Sequence, residues 1–80
     1  MKWLEIIDQN NSCRLELWKL EDIQKIQESE HCIIFEFRNN DIIYLWLLSE
    51  EKVYATMQFI KRFIKSDKTM MAITGEIKEK

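Results

Sequence analysis

The stretch Cys32-Ile33-Ile34-Phe35-Glu36-Phe37-Arg38-Asn39-Asn40-Asp41-Ile42-Ile43-Tyr44-Leu45-Trp46-Leu47-Leu48 decides how the 80-residue chain is read. Two apolar runs, Cys32–Phe37 and Ile42–Leu48, flank Asn39-Asn40-Asp41, residue types that tolerate the positive φ of hairpin turns. The second run is apolar at every position, so both faces of that strand favour burial. Loop length sets the pairing. A two-residue loop at Asn39-Asn40 gathers Ile33, Phe35, Phe37, Ile42, Tyr44 and Trp46 on one face. A three-residue loop instead sets Ile33, Phe35 and Phe37 against Ile43, Leu45 and Leu47, and the sequence leaves both open.

After the hairpin the period changes. Ser49 is a natural N-cap, and Glu50 and Glu51 put negative charge in the first turn. Val53, Met57, Ile60 and Ile64 recur at helical spacing, with Thr56 and Phe63 widening the stripe. Lys61, Arg62 and Lys65 end the helix with the sign its dipole favours, so Glu50–Lys65 is predicted helical. Before the hairpin, Trp3–Ile7 reads as a strand, closed by the turn-rich Asp8-Gln9-Asn10-Asn11-Ser12. Cys13–Leu17 alternates: Cys13, Leu15 and Leu17 face one way, Arg14 and Glu16 the other. Around Leu20-Glu21-Asp22 a tight turn is expected, then a strand near Ile23–Glu28, although the same spacing also suits a helix. Thr69–Thr74 reads as a short final strand. The prediction is thus an α+β fold: an antiparallel sheet of about five strands, able to curl, with one C-terminal amphipathic helix on one face. Residues 1–75 are expected to form a single domain and residues 76–80 a charged tail.

Composition narrows the functional classes. An apolar share of 46% is that of a folded domain. A net charge of −2 gives no overall attraction to nucleic acid or an anionic membrane. No apolar run approaches the length of a membrane span, so a soluble, cytoplasmic protein is expected. The absence of Pro, the single Gly and the abundance of Ile, Lys, Glu and Asn suggest an AT-rich bacterial or phage gene. No signal peptide precedes Cys13 and Cys32. Free thiols in a reducing cytosol are therefore expected, ahead of a cross-strand disulfide or a metal shared across an oligomer.

No catalytic constellation emerges. His31 is the only histidine; Cys32 beside it points to the opposite face of any strand, which leaves His31 a turn residue. Nothing brings two of Glu16, Glu21, Asp22, Glu28 and Glu30 together except the adjacent Glu21-Asp22, and neighbours on a turn solvate separately. With Gly75 the only glycine, phosphate-binding loops and calcium loops are excluded. No enzyme, metal or cofactor is expected. The basic helix end, Lys61, Arg62 and Lys65, is explained by the dipole without a nucleic-acid ligand.

The order of elements resembles small bacterial pleckstrin-homology-like and FlbD-like proteins: Ile23-x-x-Ile26 leading into a strand, the Cys32–Leu48 hairpin, then Ser49-Glu50-Glu51 opening a helix. The likeness runs from Lys2 to about Ile64. The hairpin here is longer and more apolar, and Asn40 or Asp41 stands where those proteins carry a turn glycine. The resemblance implies a curled sheet and an adaptor role without chemistry.

One helix covers one face of a sheet, so the second apolar face points to association. The leading expectation is a non-enzymatic protein–protein interaction module that binds itself, with Trp18, Tyr44, Trp46 and Trp3 as interface candidates. Two other readings remain: a phage or mobile-element inhibitor of a host protein, and a small-molecule binder at an oligomer interface.

Overall fold

The computed structural model describes residues 1–11 and 14–79. Six strands and one helix follow in the order β1 (Trp3–Asp8), β2 (Leu15–Lys19), a 3₁₀ turn (Leu20–Asp22), β3 (Ile23–Glu28), β4 (Cys32–Phe37), β5 (Ile42–Trp46), α1 (Glu50–Lys65) and β6 (Met70–Glu79). The strands lie in the spatial order β2-β1-β6-β5-β4-β3. The α+β class, the tight turn at Leu20 and the helix bounds are as predicted. The sheet itself differs: it has six strands and is mixed, because β6 runs parallel to β1 and antiparallel to β5.

The expected tail is the largest correction. Residues 76–79 continue β6, with Ile77 buried opposite Leu45. Ile73, Gly75 and Ile77 alternate inward while Thr74, Glu76 and Lys78 face out, so the charges that suggested a tail are one face of a strand. The first half of β6, through Gly75, pairs with β1 and the remainder, from Glu76, with β5. The strand thereby joins the two halves of the sheet.

Between β4 and β5 the three-residue loop Arg38-Asn39-Asn40 selects the second register, Ile33 opposite Leu45 and Phe35 opposite Ile43. Phe37 N–H donates to Asp41 O at 2.8 Å and Asn40 N–H to Phe37 O at 2.9 Å. Asn40 takes φ 75°, the left-handed position this loop requires.

Helix α1 starts where the Ser49 hydroxyl accepts the Lys52 N–H at 3.2 Å. It buries Val53, Met57, Ile60 and Phe63 against the sheet. Ile64 was expected in that stripe, yet it is 45% exposed and sits beside Ile23 and Ile26, while Phe63 is inside. The cause lies at the helix end. The Lys2 ammonium donates to the carbonyls of Phe63, Ser66 and Lys68 and lies 4.7 Å from the Phe63 ring centre, holding that last turn toward β1 and β6. Lys2→Met removes the cation from the helix's negative end, and a loss of about 1–3 kcal/mol in urea unfolding is expected. An unchanged midpoint would show the three bonds to be dispensable. Ile60→Ala should cost about 2–4 kcal/mol, while Arg62→Ala on the exposed side should stay under about 0.5 kcal/mol. Equal losses would mean that the buried stripe is misassigned.

Candidate interaction surface

Leu4, Ile6, Ile33, Phe35 and Leu45 are fully buried beneath α1 and form the centre of the core. Because strand side chains alternate, their neighbours form the opposite face. There Trp3, Glu5 and Ile7 of β1 lie beside Lys19, Leu17 and Leu15 of β2, and beside Met70, Ala72 and Thr74 of β6. Leu15 is 54% exposed, Leu17 51% and Met70 49%. Nothing among the described residues covers them. Farther along the same face, Tyr44 and Trp46 of β5 stand opposite Lys78 and Glu76 of β6.

Of the four aromatic candidates, the structure brings three to this face. Trp3 and Tyr44 are half-buried there, and Trp46 is 38% exposed. Lysine ammonium groups already lie over two of them, Lys19 at 5.5 Å from the Trp3 ring centre and Lys78 at 5.0 Å from that of Trp46. Trp18 lies on the other side. It is 6% exposed and its ring meets Phe35 at 5.0 Å and Phe37 at 5.3 Å, both edge-on. Its indole N–H donates to Glu16 at 3.0 Å. Trp18 is a core residue, placed there by its pairing with Leu4.

The sequence pointed to the hairpin for the uncovered face, but the exposed leucines within strands are those of β2, while Leu48, 77% exposed, lies past the end of β5. The clue was the alternation of Leu15 and Leu17 with Glu16. An apolar pair is ordinarily assigned to the core, and only the inward Trp18 reveals that this strand is turned the other way.

The remaining candidates do not converge. His31 is exposed in the turn between β3 and β4. Glu21, Asp22, Glu28 and Glu30 are exposed, and Glu16 is held by Arg14 at 2.6 Å. Hydrogen bonds donated by Arg14 to Glu16, then to Glu79, raise its pKa above the ordinary value. Lys61, Arg62 and Lys65 are exposed on α1, with Arg62 beside the Phe59 ring at 5.8 Å. Cys32 is a free, buried thiol on the outward side of β4; its pairing with Cys13 concerns a residue outside those described. Among the described residues no cluster of His, Cys, Asp and Glu is arranged to hold a metal ion. No helix there is long and apolar enough to cross a membrane.

No family model, curated protein or solved structure matches the chain.

Proposed function

We propose that this protein is a non-enzymatic interaction module that binds a second copy of itself through the β2 side of its outer sheet face. The observation that carries the reading is the pair Leu15 and Leu17. Both are more than half exposed, next to Trp3, Ile7 and Met70 on a face that α1 does not reach. Contiguous apolar surface of this kind is unusual on a soluble monomer, and a closed pair of copies hides it. The adaptor role implied by the resemblance to pleckstrin-homology-like proteins agrees with this reading but is not its basis. Leu17→Lys should convert the assembly to monomer in light scattering, while Tyr54→Lys on the exposed helix surface should leave its mass unchanged. The reverse outcome would move the interface to the helix.

A further inference from the structure

We infer that two copies join by adding their β2 strands antiparallel about a two-fold axis, with Leu15 of one copy opposite Leu17 of the other. The inference rests on the self-association reading and specifies its geometry.

The backbone gives the first reason. Leu20 N–H donates to Lys2 O at 2.9 Å and Asp8 N–H to Arg14 O at 3.2 Å, marking two bonded pairs on the β1–β2 ladder. Bonded pairs recur at every second residue of an antiparallel ladder. Arg14, Glu16, Trp18 and Leu20 therefore turn their backbone groups toward β1, and Leu15, Leu17 and Lys19 turn theirs to the open edge. Lys19 caps the 3₁₀ turn, which engages its carbonyl. Among the described residues of this edge, the N–H and C=O of Leu15 and Leu17 are the groups left without a ladder partner, and setting one residue opposite the other satisfies all of them in both copies.

The two sheet edges differ, which supplies the second reason. At the far edge β3 carries a register shift between Ile23 and Lys25 and exposes Gln24, Lys25, Gln27 and Glu28. Bulges and edge lysines are devices that block pairing. By contrast, β2 keeps an unbroken register with β1, and its outward side chains are Leu15, Leu17 and, at the end beside the 3₁₀ turn, Lys19, whose ammonium lies over the Trp3 ring of its own chain.

Charge provides the third. In this pairing the exposed leucines of both strands meet on the outer face. On the other face Glu16 stands opposite its twin, with the Arg14 of each copy at diagonal reach. Arg14 already holds Glu16 at 2.6 Å and Glu79 at 2.9 Å, so each Glu16 meets its twin with a guanidinium beside it. The contact is self-complementary, as a two-fold interface must be.

Leu17→Pro tests this directly. Its N–H points away from β1, so proline removes an edge donor while leaving the intramolecular ladder bonds in place. The variant should keep its far-ultraviolet circular dichroism and sediment as a monomer where the wild-type chain is dimeric. In a Cys13→Ser background, a mixture of Leu15→Cys and Leu17→Cys chains should cross-link under mild oxidation faster than either chain alone. A Leu17→Pro dimer, or cysteine variants with no preference for the mixture, would overturn the edge pairing while leaving the self-association reading intact. A monomeric wild-type chain would overturn both.

Discussion

Gly75→Val should lower stability by about 3 kcal/mol or abolish folding, and Gly75→Ala should cost about 1–3 kcal/mol, read by urea unfolding. The reason is space. A Cβ at Gly75 would lie 2.8 Å from Cγ and Cδ1 of Leu45 and 2.9 Å from the Trp46 carbonyl oxygen. The Leu45 side chain is fully buried and the carbonyl belongs to the backbone of β5, so neither yields without moving the strand. Gly75 is also where β6 passes from β1 to β5, so that movement would part the two halves of the sheet. Valine branches at Cβ and adds further atoms to the same contact. A Gly75→Val chain as stable as wild type would show that β5 and β6 do not approach this closely.

Trp18→Ala should cost about 3–5 kcal/mol, the range for removing a buried aromatic. Its ring lies edge-on to both Phe35 and Phe37, so one substitution opens a cavity and removes two ring contacts. Glu16 loses an indole donor as well. The loss should appear as a lower unfolding midpoint and a weakened near-ultraviolet circular dichroism spectrum, with a cause inside each copy. A variant that dissociates the assembly while the monomer keeps its midpoint would make Trp18 an interface residue instead.

Much of this architecture can be read in the sequence where periodicity and end signals agree. Ser49 with Glu50 and Glu51 marked the start of α1, Lys61, Arg62 and Lys65 marked its end, and the observed bounds are Glu50–Lys65. Asn39-Asn40-Asp41 located the hairpin turn but not its register, because both faces of β5 are apolar and either loop length buries oily side chains. Only tertiary packing separates the two. The end of the chain was misread because Glu76, Lys78 and Glu79 dominate a short window. Their alternation with Ile73, Gly75 and Ile77 becomes meaningful once β1 and β5 are known to flank the strand. For the same reason the parallel β1–β6 pair was not legible: nothing local couples residues that far apart in sequence. On the outer sheet face, the sequence named Trp3, Tyr44 and Trp46 as separate candidates and only the strand pairing brings them to one side, while Trp18 is drawn into the core by Leu4 and the two phenylalanines. Leu15 and Leu17 look like core residues on pattern alone, and only the orientation of β2 exposes them.

Self-association underlies both the proposed role and the edge pairing. Its most direct test is the mass of the purified wild-type protein in sedimentation equilibrium at about 100 μM, a concentration well above the Kd of an interface of standard size. Twice the chain mass of 9.8 kDa is the expected result. A single species of 9.8 kDa, folded and with Leu15 and Leu17 open to solvent, would contradict it.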